Sequence, residues 1–379
     1  MKYFHDLTCF SSGIWYFISR EDIMIEKIRR KADSGIGIDR EEILFILHCS
    51  DEAVLKEIFD IAYSVKVREV GKKVHLRGLV EISNICTKNC FYCGIRKGNT
   101  EVSRYSLSQE EILACAELTR QFEYGSLVLQ GGERSDEAFT DFIEDTLRKI
   151  KAQPGAELGI TLSLGEQSLE TYKRWFAAGA HRYLLRIETS SHELYKELHP
   201  ADHLLEERKA CLDRLREAGY QVGTGVMSGI PGQTLESLAD DIEFFRKQDV
   251  DMIGMGPYIT HHATPLGLKF PGYASDLTLG LKMIAAVRLA LRNVNIASTT
   301  ALQTLAPDGR ERGLLAGANV IMPNVGDLIH RKDYLLYENK PGTDENAADT
   351  RQNLERAIAA IGEEIEYGTW GDSPHFLSS

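Results

Sequence analysis

The sequence predicts an α/β fold: a complete (β/α)8 TIM-type barrel with an N-terminal helical cap and a C-terminal helical extension. Three observations carry this expectation. Eight apolar runs, at 74–83, 126–131, 159–164, 182–188, 221–228, 252–259, 296–303 and 319–323, alternate with stretches of helical periodicity. Several of those stretches end at a glycine just before the next run, at Gly179, Gly219 and Gly317, where a left-handed helix end needs a residue without Cβ. The span 74–323 is about 250 residues, the usual size of an eight-stranded barrel. Strand–helix alternation demands a parallel sheet with right-handed crossovers. An open, doubly wound sheet is the rival arrangement.

The elements follow in order. Residues 1–23 mix aromatic and polar residues, lack the pattern of a secretory signal, and read as an uncertain N-terminal extension or an upstream start. Residues 24–73 form a helical cap. Asp39 caps a helix over 40–48, and Asp51 caps one over 52–66, where Leu55, Ile58, Phe59 and Ala62 share a face. The barrel occupies 74–323. Residues 324–379 cover it, with a helix expected over 349–365 on Leu354, Ile358, Ile361 and Ile365.

Composition narrows the function. The chain has 379 residues and a net charge of −12, which disfavours nucleic acid and anionic membrane as partners. Seven cysteines, four of them isolated, make no disulfide framework and suit a reducing cytoplasm. No run is long enough to span a bilayer as a helix.

The chemistry concentrates at Cys86-Thr-Lys-Asn-Cys90-Phe-Tyr-Cys93, directly after the first strand. A structural zinc site takes four protein ligands, and a cubane cluster has four irons. Three cysteines on a cubane leave one iron free to bind a small molecule. The alternatives are a zinc site completed by a distant histidine, or three unrelated cysteines. If the fold is a barrel, its C-terminal rim holds the site, and polar groups do gather there. They include Gly131, Gly132 and Glu133 after strand 2, Ser163 to Glu166 after strand 3, Arg186 and Glu188 on strand 4, Met227 on strand 5, and Thr299 and Thr300 on strand 7. Arg186 and Glu188, two apart, face one side; a buried ion pair would also explain them.

These residues resemble a known family. Cys86-x3-Cys90-x2-Cys93 with Tyr92 is similar to the motif of radical S-adenosylmethionine (SAM) enzymes, and Gly131-Gly132-Glu133 to their methionine-amine motif. Leu162 to Glu166, Arg182 to Thr189, Gly229 to Thr234, Gly254 to Pro257 and Gly317 to Asn324 together resemble the [FeFe]-hydrogenase maturases of the HydE type. The resemblance implies one [4Fe–4S] cluster on Cys86, Cys90 and Cys93. It implies SAM held by Tyr92, Gly131, Gly132, Glu133, Glu188, Arg208 and Tyr334. It implies a substrate cavity at Ser163, Arg186, Met227, Thr299, Thr300 and Tyr337. The implied reaction is radical cleavage of SAM in assembly of the di-iron subcluster, on a cysteine-bound Fe(CO)2(CN) precursor. Partner maturases and an electron donor are implied with it. The alternatives are a methylornithine-synthase-like carbon-skeleton mutase or another small-molecule radical enzyme, and an electron carrier without catalysis. Some family members carry a second, C-terminal cluster; no cysteine follows Cys211 here.

Overall fold

The computed structural model describes residues 19–378, so residues 1–18 of the expected extension lie outside it. Capping residues set the first helices. Ser19 and Asp22 form a capping box on Arg20–Asp33, so the helical cap starts ahead of Met24. Asp39 and Glu42 do the same for Arg40–His48, and the Asp51 carboxylate accepts the Ala53 and Val54 N–H groups at the start of Glu52–Glu69. Ile28, Ile43, Ile46, Ile58 and Val65 are fully buried on the faces the periodicity marks. The cap packs on wall helices Leu235–Lys247 and Leu277–Leu291.

Eight parallel strands follow: β1 Lys73–Ser83, β2 Ser126–Gly131, β3 Gly159–Ser163, β4 Arg182–Leu184, β5 Gln221–Thr224, β6 Met252–Ile253, β7 Asn295–Ile296 and β8 Val320–Ile321. They pair in the order β8-β1-β2-β3-β4-β5-β6-β7, with helices around them. The complete barrel of the sequence reading is corrected here. The path is open between β7 and β8, which meet in one isolated bridge, Ala297–Val320, and not in a ladder. Two backbone bonds cross this seam, Ser298 N–H to the Val320 carbonyl at 2.8 Å and Asn319 N–H to the Ile296 carbonyl at 2.9 Å, and side-chain amides supplement them. The Ile296 N–H donates to Asn319 Oδ1 at 2.9 Å, and Asn319 Nδ2 donates to Asn295 Oδ1 at 2.8 Å.

Several strands are shorter than their apolar runs. β4 stops at Leu184, so Arg186 and Glu188 lie on irregular backbone beyond it. The run at 296–303 divides: after β7 the chain turns into helix Thr300–Leu305. Past β5 and β6, Gly225 and Gly254 approach so closely that a Cβ on Gly225 would stand 2.0 Å from the Gly254 carbonyl oxygen. There a separate two-residue ladder, Met227–Ser228 with Gly256–Pro257, forms at the rim.

The C-terminal region also departs from expectation. Its helix runs Ala347–Ala360, Gly362 turns at φ +74, and Ile365 joins a ninth strand, β9 Glu364–Glu366, parallel to the start of β1. The tail then crosses the N-terminal mouth of the barrel. The Trp370 carbonyl and Asp372 Oδ1 accept from Arg182 at 2.8 and 2.6 Å, and the Gly371 carbonyl accepts from Arg77 and Asn295 at 3.0 and 2.9 Å. Among the described residues, no helix is long and apolar enough to cross a membrane.

Candidate active site

At the opposite, C-terminal end of the strands lies a cavity of ≈ 310 Å³. Every residue that the resemblance assigned to the cluster, SAM or the substrate cavity lines it. Cys86, Cys90, Tyr92 and Cys93 come from the loop after β1, and Gly131, Gly132 and Glu133 from the end of β2. Ser163 ends β3, Arg186 and Glu188 follow β4, and Arg208 lies in the first turn of helix Leu205–Glu217. Met227, Thr299, Thr300, Tyr334 and Tyr337 complete the wall.

The cysteine loop is stitched to the chain after β2. The Thr87 N–H donates to the Glu133 carbonyl at 2.9 Å, and the Glu133 N–H donates to Cys86 Sγ at 3.3 Å. Gly132 is required for this contact, because a Cβ there would stand 2.3 Å from the Ile85 carbonyl oxygen. Arg104, which sequence reasoning missed, donates to the Asn84, Ile95, Arg96 and Asn99 carbonyls and fixes the loop's shape. No periodicity or motif marks it.

The donor set fits an iron–sulfur cluster. Burial pushes all three thiols up, and with neighbouring cysteines adding to it at Cys90 and Cys93, Cys90 reaches about 12. Such thiols lose their protons only to a strongly bound cation, which is what cluster assembly provides. Among the described residues no three His, Cys, Asp or Glu side chains crowd together as the ligands of one ion do. A cubane holds its thiolates farther apart than a single ion does.

Other wall groups have polar atoms without hydrogen bonds. Arg208 Nε and Arg186 Nε are buried and unbonded. Glu188 Oε2 stands 2.9 Å from Arg186 Nη2, an ion pair without hydrogen-bond geometry. The ion-pair explanation of these two residues is therefore correct as far as it goes. Burial raises the Glu188 carboxyl, and its backbone sits at φ +63, a strained conformation for a side-chain-bearing residue. Thr299 occupies the N-cap of Thr300–Leu305, yet its hydroxyl caps nothing and has no partner. Tyr334 is already bonded, its hydroxyl accepting from Gln130 Nε2 at 3.3 Å. The Tyr92 ring meets His199 edge-on at 5.5 Å. Two further ion pairs escaped the sequence reading. Lys340 reaches Glu81 at 2.5 Å, and Lys88 reaches Glu166 at 2.6 Å. Single charges on loops carry no signal of such pairing.

A three-cysteine loop at the C-terminal end of a parallel α/β sheet, facing a cavity, defines a radical SAM enzyme. The family model of the Radical SAM superfamily matches residues 80–245. Over 317 residues the chain is 42% identical to the [FeFe] hydrogenase maturase subunit HydE of Thermotoga maritima, covering 84% of this chain and 87% of that one. The chain belongs to the HydE family of radical SAM enzymes. Biotin synthase 1 of Corynebacterium diphtheriae is 28% identical over 81% of this chain and 86% of its own. In fold, the chain is similar to the crystal structure of methylornithine synthase (PylB), with a TM-score of 0.77 over 90% of this chain and 98% of that one, at 23% identity.

Proposed function

We propose that this enzyme cleaves SAM at one [4Fe–4S] cluster and acts in assembly of the di-iron subcluster of the [FeFe]-hydrogenase H-cluster. Its substrate in this reading is a cysteine-bound Fe(CO)2(CN) precursor. Partner maturases and an electron donor act with it. The observation that carries the reading is the shared cavity: the three cysteines, an amino-acid-sized set of charges and an arginine-bearing chamber all open onto one space.

When bound and reduced, a [4Fe–4S] cluster would supply the electron for cleavage of SAM's sulfonium carbon–sulfur bond to methionine and a 5′-deoxyadenosyl radical. The chain's own residues do the rest. Cys86, Cys90 and Cys93 would hold the cluster, one ligand short of four, which would leave a place for SAM. Glu133 accepts from the ligand's ammonium, and Arg208, with Nε free, donates to its carboxylate. Tyr92 offers an aromatic face to adenine, and Gly131 and Gly132 let the backbone approach. Glu188, held in its strained conformation, accepts from the ribose hydroxyls. Tyr334 packs beside the ligand, while Arg186, Ser163, Met227, Thr299, Thr300 and Tyr337 wall the chamber beyond. Arg186 and the unpartnered Thr299 hydroxyl suit an anionic complex. Enclosure keeps water from a reactive radical.

The test begins with anaerobic reconstitution, which should give about four irons per chain. Reduced protein with SAM should yield 5′-deoxyadenosine, and the triple Cys86/Cys90/Cys93→Ala variant should yield none. SAM cleavage by that variant would end the proposal. Maturation is tested by asking whether the gene restores [FeFe]-hydrogenase activity to cells lacking their own HydE-type maturase.

A further inference from the structure

Four charged side chains at the mouth of the cavity form a closed ring of alternating sign. Lys88 comes from the cysteine loop, Glu133 from the chain after β2, Glu166 from the chain after β3, and Arg208 from helix Leu205–Glu217. Each carboxylate spends one oxygen on each cation. Glu133 meets Lys88 through Oε1 at 3.2 Å and Arg208 through Oε2 at 3.1 Å. Glu166 meets Lys88 through Oε2 at 2.6 Å and Arg208 through Oε1 at 3.3 Å. The side chains are 10–22% exposed, so the charges act through a partly dry medium.

The amino-acid end of SAM is itself a pair of opposite charges. It can enter this ring at only one of the four links without setting like charges side by side while meeting Glu133 with its ammonium and Arg208 with its carboxylate. That link is Glu133–Arg208. Insertion there gives a six-membered ring that still alternates: Lys88, Glu133, ammonium, carboxylate, Arg208, Glu166 and back to Lys88. The shortest link, Lys88–Glu166, stays closed. The unbonded Arg208 Nε is a spare donor for the newcomer.

We propose that Lys88 and Glu166 are positioning residues for SAM. They form a clasp that holds Glu133 and Arg208 at the spacing the ligand's zwitterion needs to enter between them. The inference rests on the SAM reading above. It extends the recognition of the amino-acid end to two side chains on the cysteine loop and beyond β3. Glu166 belongs to the Leu162–Glu166 segment, of which the substrate and cofactor assignments used only Ser163.

The experiment measures equilibrium binding of SAM to cluster-loaded protein by dialysis, alongside iron content and the electron paramagnetic resonance signal of the reduced cluster. Lys88→Met and Glu166→Gln should each weaken SAM by about tenfold or more, a size in line with close, partly desolvated charge pairs, with iron content unchanged. 5′-Methylthioadenosine lacks the amino-acid end, and its affinity should not move. The double exchange Lys88→Glu with Glu166→Lys keeps an opposite-charge pair but reverses its direction. The introduced carboxylate then faces Glu133, and the introduced ammonium faces Arg208. This protein should bind SAM no better than the single variants. If the exchanged protein recovers wild-type SAM affinity, the pair is a plain staple and the proposal is wrong. Unchanged SAM affinity in Lys88→Met and Glu166→Gln would overturn it too, as would an equal loss for 5′-methylthioadenosine. Failure of the wild-type protein to bind SAM would instead overturn the function proposed above.

Discussion

The two ends of the strand array carry similar side chains and fill them differently. At the N-terminal mouth, Arg77 and Arg182 are buried, with Arg182 wholly inaccessible. The chain's own tail supplies their acceptors at Trp370, Gly371 and Asp372. At the C-terminal rim, Arg186 and Arg208 keep Nε unbonded, Thr299 has a free hydroxyl, and a cavity stands where the tail would be. Arg77 Nε is unbonded as well, so counting free atoms does not separate the ends. What separates them is occupancy by the protein's own backbone. The comparison teaches that an arginine is free to serve a ligand where a cavity, and not the chain's own tail, stands beside it.

The largest effect expected from this contrast is at the closed end. Asp372→Asn removes the carboxylate from a buried Arg182 and should cost about 3–5 kcal/mol of stability. Chemical denaturation would measure it. The remaining folded fraction should bind SAM as before. A variant that is stable but blind to SAM would break the division between the ends.

Acid should release the same end by a comparable amount. His181 Nδ1 accepts the Ile160 N–H at 3.2 Å, and Nε2 faces Asp372 Oδ1 at 3.0 Å. Burial first, then the Arg182 charge, lowers His181 from 6.5 to about 4 despite Asp372. Burial alone would raise Asp372, but its histidine and arginine partners outweigh it and hold the carboxyl below the ordinary range. Both groups have depressed folded values, so their stabilisation is present above the unfolded values and lost as pH falls. For His181 the window runs from about 6.5 down to about 4, and the loss is up to about 3 kcal/mol. Thermal unfolding across that window should show the decline, and His181→Asn should flatten it.

How much of this was legible in sequence differs between the ends for a physical reason. The rim is built from side chains at strand ends, and side chains are what a sequence displays. Cys86, Glu133, Arg186, Glu188 and Thr299 were therefore readable, and they line one wall. The plug is built largely from backbone carbonyls of 370 and 371, which any residue can offer, so the tail reads as irregular. The same limit explains β7. The run at 296–303 is β-compatible throughout, but Thr300 starts a helix because the strand is only two residues long. Ile365 likewise has helical spacing from Leu354 and Ile358, yet Gly362 at φ +74 ends the helix and releases it to β9. Lys88 and Glu166 were visible in their motifs, but their pairing depends on the cysteine loop and the chain after β3 meeting in space.

At the open end, Glu188→Gln should reverse the pattern seen at Asp372. Its partner Arg186 is 32% exposed, so stability should change by less than about 1 kcal/mol. Formation of 5′-deoxyadenosine should fall by about 10- to 100-fold, the value of a hydrogen bond to a charged acceptor. Equal loss of stability and turnover would mean that Glu188 serves the fold alone.

Tyr334 provides the finest cut, because it belongs to the rim by position and to the closed end by bonding. Its side chain is 1% exposed and its hydroxyl accepts from Gln130 at 3.3 Å. Tyr334→Phe should cost about 1 kcal/mol, the net value of one hydrogen bond. If protein bonding decides role, SAM affinity should stay within about threefold, since the aromatic ring proposed to pack beside the ligand is retained. A loss beyond about tenfold would show that SAM takes the hydroxyl from Gln130. Position at the rim would then outweigh prior bonding, and the contrast between the two ends would have to be redrawn around ligand access.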